Sequence, residues 1–301
     1  MISGYENINI NGVRVDVLGL SEAAGKLTAL LSAKKETEAD KRFEMADESS
    51  PYRLTDGETA EEIMPHRVMS NGVTDSTRLP LAVFTPNAEI IWRCARDARL
   101  AGIVNSGDMN LPDGVGTVWG ARVLGFRLPE RVPGIELGEA MLASCAGLGV
   151  GVFLLGGREG VAESASEMLK SRFPGLIVCG THHGYFDIRG EENARVIEEI
   201  KRAAPGLLIV CLGFPRQEEW IIENRTALPG VSVMLGLGGS LDVWSGNVRR
   251  APIIFRRMGL EWLWRILSDP SRLKRAGALP GFVLLTLKKR RDIPARSRSQ
   301  K

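Results

Sequence analysis

Short, almost wholly apolar runs that each end within two residues of a glycine or proline, with a helix-forming stretch between one run and the next, constrain this chain more than any other feature. From Leu81 onward they are Leu81-Ala82-Val83-Phe84, Val150-Gly151-Val152-Phe153-Leu154-Leu155, Leu176-Ile177-Val178-Cys179, Leu207-Leu208-Ile209-Val210-Cys211-Leu212 and Val231-Ser232-Val233-Met234-Leu235. A strand apolar on both sides must be covered on both faces, and helical connections between such strands force a mostly parallel sheet. The expected fold is α/β and Rossmann-like, with helices on both faces. Ligands then belong at the carboxyl ends of the strands. A further short strand is expected at Ile103–Ser106, and one continuous helix from Ala88 to about Arg99. Upstream, Ile8, Ile10, Val13, Val15 and Val17 alternate around Asn11-Gly12, which predicts a β-hairpin. A helix capped at Ser21 should follow and run to about Ala33.

Charge divides the chain unevenly. Residues 246–301 hold 15 Lys/Arg against Glu261, Asp269 and Asp292, whereas the remainder carries 24 Lys/Arg against 33 Asp/Glu, a net of +12 against −9. This suggests residues 1–245 as the Rossmann-like body and 246–301 as a basic, amphipathic C-terminal appendage that meets an anionic membrane surface. Phe255, Trp262, Trp264 and the run Phe282–Leu287 before Lys288-Lys289-Arg290-Arg291 suit an interface, where aromatics sit at headgroup level. Nucleic acid is not expected, because no recognised nucleic-acid motif accompanies the charge. Residues 34–80, with 11 acids and 7 bases, are expected to be a flexible charged insertion. Cys94, Cys145, Cys179 and Cys211 form no C-x-x-C pair, so buried thiols in a reducing compartment are expected. No signal peptide and no run long enough to span a bilayer are found, which predicts a cytoplasmic protein, peripheral at the inner face of the membrane. The sequence leaves homo-oligomerisation open.

The strand ends carry the chemistry. Pro112-Asp113-Gly114-Val115-Gly116 puts one carboxylate on a tight turn opening a helix. Thr85-Pro86-Asn87 supplies a hydroxyl and an amide. Gly156-Gly157-Arg158-Glu159-Gly160 could cradle phosphate with backbone N–H groups and one guanidinium, although it is neither a Walker A loop nor a G-x-G-x-x-G fingerprint. Gly213-Phe214-Pro215-Arg216-Gln217-Glu218 and Gly236-Leu237-Gly238-Gly239 end the next two strands. His182-His183 would point opposite ways in a strand and makes a poor joint metal site.

These words, in this order, with Glu130-Arg131-Val132-Pro133-Gly134, His183-Gly184-Tyr185-Phe186, Arg250-Ala251-Pro252, Gly259-Leu260-Glu261-Trp262-Leu263-x-Arg265 and Asp269-Pro270-x-Arg272, resemble the WecG/TagA/CpsF glycosyltransferase family over residues 8–33 and 81–275. The insertion departs from the family's shorter connection, and the residues past about 280 are unmatched. The resemblance implies an inverting, metal-independent transferase without cofactor. It would move an N-acetylmannosamine-type sugar from a UDP-sugar donor to a polyprenyl-diphosphate-linked GlcNAc acceptor for a cell-surface polymer. Asp113 matches the proposed general base, Thr85 and Asn87 active-site polar groups, Arg131 a pocket arginine and Gln217 a sugar-nucleotide contact. Gly156, Gly157, Gly213, Gly238 and Gly239 are expected to line the substrate site. Arg250, Arg257 and Arg265 are expected to meet the departing diphosphate, a role that suits guanidinium and bears on an otherwise metal-free reaction. Asp242 and Glu261 stay open as rival carboxylates. The other class of reading is a non-catalytic nucleotide-sugar or nucleic-acid binding protein on the same core.

Overall fold

The computed structural model describes residues 5–48, 79–268 and 277–292. The N-terminal hairpin pairs β1 (Asn7–Ile10) with β2 (Val13–Asp16), and Asn11 and Gly12 take positive φ at its two-residue turn. The main sheet is six-stranded and parallel throughout. It comprises β3 (Leu81–Phe84), β4 (Met109–Asn110), β5 (Gly151–Gly156), β6 (Ile177–His182), β7 (Leu207–Cys211) and β8 (Val233–Gly236), ordered β4-β3-β8-β7-β5-β6.

Alternation along each strand sorts the core into two layers. Leu81, Val83, Val152, Leu154, Leu207, Ile209, Val233 and Leu235 face one way, against residues of α1 (Leu20–Glu48), α5 (Gly134–Leu148) and α6 (Val161–Arg172). Ala82, Phe84, Phe153, Leu155, Leu208, Val210 and Met234 face the other, against α7 (Glu191–Ala203) and α8 (Arg216–Asn224). Period-two burial on both faces is what the apolar runs require.

Three local expectations are corrected. Ile103–Ser106 is not a strand: α2 (Ala88–Cys94) ends, Asp97 caps a new helix by accepting from the Arg99 and Leu100 amides, and α3 spans Ala98–Asn105. Leu100 and Val104 are the buried residues of α3, while Gly102 between them is exposed; a strand would turn all three to one face, so this i,i+4 burial is helical and overrides the β-branched Ile103-Val104. The same cap divides the expected Ala88–Arg99 helix in two. The strand in question is the two-residue β4. Finally, α1 does not stop at Ala33 but continues to Glu48 through a stretch rich in Ala, Lys and Glu, good helix formers. Lys35 Nζ donates to the Leu148 carbonyl at the end of α5. Residues 49–78 of the expected insertion lie outside the described residues.

The C-terminal part contributes α9 (Ser240–Trp244), α10 (Ile253–Arg257), α11 (Glu261–Ser268) and α12 (Ala278–Asp292). Gly259, at φ 71°, separates α10 from α11. The run containing Phe282 is not wholly a surface element. Phe282 is 1% exposed in a third core cluster with the hairpin and α2–α4, where α4 is Gly114–Val123. Among the described residues no helix is long and apolar enough to cross a membrane.

Candidate functional site

Because all six main strands run parallel, their following loops converge at one edge and enclose a cleft of about 780 Å³. One wall is built around Asp113. Leu111 N–H donates to Phe84 O at 2.8 Å, Asp113 N–H to Pro86 O at 3.3 Å, and Val132 N–H to Pro112 O at 2.7 Å. The first two tie the turn after β4 to the end of β3 and the loop after it, and the third ties it to the segment before α5. Asp113 sits at the N-cap of α4 in extended backbone, followed by Gly114 at φ 76°. Its carboxylate does not cap its own helix; Thr117 Oγ1 instead donates to the Asp113 carbonyl at 2.8 Å. A Cβ on Gly116 would lie 2.8 Å from the Ala88 methyl, so only glycine lets α4 and α2 begin side by side. Thr85, Asn87 and Asp113 therefore line the same wall. Asn87 Oδ1 is used to cap α2, accepting from Ile90 N–H at 3.1 Å, which leaves its amide N–H groups to offer a ligand.

Gly157, Gly213, Gly238 and Gly239 also line the cleft, and Gly156 ends β5 immediately before Gly157. Gln217 also lines the cleft, yet it is 4% exposed and both ends of its carboxamide are bonded within the protein: Oε1 accepts from Gly238 N–H at 2.7 Å and Nε2 donates to Glu218 Oε1 at 3.0 Å.

The expected arginines are placed differently. Arg131 Nη2 donates to the Arg256 carbonyl at 3.1 Å, fastening α10 to the loop before α5. Arg250 is directed away from the cleft, paired with Glu136 at 2.7 Å and Glu139 at 3.9 Å, and lines a separate groove beside Trp244. Two facing carboxylates on one helix turn outcompete a more distant ligand pocket. Arg257 and Arg265 lie on α10 and α11, but their side chains fall outside the described residues. The C-terminal segment instead brings Asn247, Val248 and Glu261 to the cleft.

The cations that line it among the described residues are Arg158 and Arg216. Arg216 spends its guanidinium on the Gly184 carbonyl at 2.6 Å and on the Phe186 carbonyl, holding the loop after β6. Arg158 is exposed on the β5–α6 loop, beside the N-terminal end of α6. Its one visible signal is its place inside the Gly156–Gly160 run. Glu89 also lines the cleft and had no signal, while Tyr185 stood only inside the His183–Phe186 word. Among the described residues no three His, Cys, Asp or Glu side chains gather as a metal site.

Glu218 is the most perturbed acid of the cleft. It is 3% exposed, and burial pushes its carboxyl up to about 7, against weaker opposition from its own backbone bond and from Gln217. The unfolded chain loses this proton near pH 4.5 and the folded chain near pH 7. Stability is therefore fully present below about pH 4.5, falls as pH rises through that window, and stays low above it. Glu218→Gln removes the titration, so it should abolish a pH-dependent loss on the order of 3 kcal/mol between pH 4.5 and 8. Urea unfolding of both proteins at the two pH values checks this; equal pH slopes would contradict it.

The Glycosyl transferase WecG/TagA/CpsF family matches residues 59–296, entering the charged insertion and running beyond the point near 280 where the recognisable words stop. An N-acetylglucosaminyldiphosphoundecaprenol N-acetyl-beta-D-mannosaminyltransferase of Bacillus spizizenii is 35% identical over 209 residues, 69% of this chain and 79% of that protein. The protein of the same name from Staphylococcus aureus (strain MW2) is 36% identical over 213 residues, 71% of this chain and 82% of its own length.

Proposed function

This chain belongs to the WecG/TagA/CpsF family of glycosyl transferases, and from that membership we propose that it transfers an N-acetylmannosamine-type sugar from a UDP donor to a GlcNAc-diphospho-polyprenol, with inversion and without a metal. The observation that carries the reading is Asp113, held by its N–H to Pro86 O and by Thr117 Oγ1 on its carbonyl, on the cleft wall it shares with Thr85 and Asn87. Asp113 accepts the proton of the acceptor hydroxyl as that oxygen bonds to the anomeric carbon. The bond from that carbon to the UDP oxygen breaks in the same step, and UDP departs with the electron pair. One displacement turns an α-linked donor into a β-linked product. Thr85 and the Asn87 amide orient the reacting sugars. Gly157 and the neighbouring loop amides, with Arg158, bind the leaving diphosphate in this reading, since charge developing there needs donors already in place; that both line the cleft supports it. The mannosaminyltransferase relatives support the sugar and acceptor classes. Transfer from a panel of UDP-hexosamines to GlcNAc-diphospho-undecaprenol tests the proposal.

A lipid-linked acceptor calls for approach to a membrane. Ile253, Ile254, Met258, Trp262 and Leu267 are exposed on α10 and α11, and Val283, Leu284 and Leu287 on α12 beside Lys288 and Lys289. Apolar side chains with adjacent cations suit peripheral binding to anionic lipid. The protein should float with phosphatidylglycerol vesicles at low salt and dissociate in part at about 1 M salt, where the screening length is about 3 Å. No flotation under either condition would refute peripheral binding.

A further inference from the structure

Gln217 was expected to touch the sugar-nucleotide, but its carboxamide is occupied by the protein. Gly238 N–H can only donate, which fixes Gln217 Oε1 as the acceptor and turns Nε2 toward Glu218. The carboxamide is wedged against β8: a Cβ on Gly236 would lie 2.6 Å from Nε2. One side chain thus joins the start of α8 to the loop that forms the Gly236–Ser240 wall of the cleft. Glu218 sits behind it. Its Oε1 accepts from Gln217, while its Oε2 is buried and has no hydrogen-bond partner.

We propose that Glu218 is a positioning residue for the donor sugar-nucleotide: as the neutral acid it locks the Gln217 carboxamide against the Gly238 amide and so fixes the Gly236–Ser240 wall. The proposal rests on the UDP-sugar reading above for the identity of the ligand, although the lock itself does not. With Oε1 accepting from Gln217, the neutral acid carries its proton on the buried Oε2. An ionised carboxylate in the same place would have only its own backbone N–H and Gln217 to answer it and no ion pair, less than the burial of a charge costs. It must then draw in water or turn outward, and either movement takes Oε1 from Gln217. The ionisable groups around it are Arg93 and Cys94 on α2 and Glu219 on α8. Arg93 favours the charged form and Glu219 opposes it, both less than burial does. Cys94, pushed up to about 12 chiefly by burial, stays a thiol throughout the relevant range.

The test is amide hydrogen exchange at Gly238 in the intact protein, corrected for the intrinsic pH dependence of exchange, together with the UDP-sugar KM, both between pH 6 and 8. The protection factor of Gly238 should fall about tenfold across this range as Glu218 ionises, and KM should rise in parallel with kcat nearly unchanged. Glu218→Gln, a neutral near-isostere, should hold both quantities at their pH 6 values. Gly238 protection that is flat in the wild type, or that falls equally in E218Q, would overturn the assignment. Exchange that switches as expected in a protein showing no transfer with any UDP-sugar would uphold the lock and count against the UDP-sugar reading.

Discussion

Asp113→Asn should lower sugar transfer by about two orders of magnitude or more while leaving UDP-sugar binding within about twofold, because the amide cannot accept the acceptor's proton. The substitution keeps the turn intact. The contacts that shape this loop, Asp113 N–H to Pro86 O and Thr117 Oγ1 to Asp113 O, run through backbone atoms of residue 113 that asparagine retains. A loss in kcat with binding preserved therefore reports the carboxylate rather than the fold. Isothermal titration with the UDP-sugar alongside steady-state transfer separates the two. Unchanged turnover would remove Asp113 from the mechanism, and retained binding without any wild-type transfer would favour a non-catalytic binding protein.

Phe282→Ala should destabilise the protein by about 3–5 kcal/mol, the range for deleting a buried aromatic side chain. Phe282 packs against Gly120, where an added Cβ would lie 2.6 Å from its ring, and stands 6.3 Å from the Trp119 ring centre. One turn later Thr286, fully buried, accepts from Asn11 Nδ2 at 2.8 Å and donates to the Phe282 carbonyl. α12 is thus part of the core that includes the N-terminal hairpin. Denaturant unfolding measures the loss; a cost under about 1 kcal/mol would show that α12 does not hold the hairpin and α4 together in solution. Removing residues 246–301 outright would confound a test of the appendage's role in catalysis, since it would also strip this helix from the body. Arg250 and Arg131 add further ties between the two parts.

The parallel sheet was legible because its signal is local and repeated: Leu207–Cys211 has no polar residue to place, so both its faces had to be covered. That Thr85 and Asn87 reach the cleft was legible for the same reason, since they follow a strand end and parallel strands all end on one side; Asp113 was singled out by its Pro-Asp-Gly turn and by the family resemblance, because the two-residue strand before it went unread. What escaped was set by distant partners. Arg250 looks like a diphosphate ligand until Glu136 and Glu139 are found facing it from α5. Phe282 looks like a membrane residue because nothing nearby in sequence announces the space at Gly120. Glu218 looks like an ordinary carboxylate opening a helix, and only the packing of α2 and β8 makes it a buried acid. Ile103-Val104 failed in another way, with β-branched residues suggesting a strand where the Asp97 cap starts a helix.

The most direct measurement incubates the wild-type protein with an α-linked UDP-N-acetylmannosamine and GlcNAc-diphospho-undecaprenol, following UDP release and the anomeric configuration of the lipid-linked product by NMR. The account predicts acceptor-dependent UDP release, undiminished by EDTA, and a β-linked disaccharide. An α-linked product would contradict the single displacement with Asp113 as base, and no product from this or any other UDP-hexosamine would contradict the transferase assignment itself.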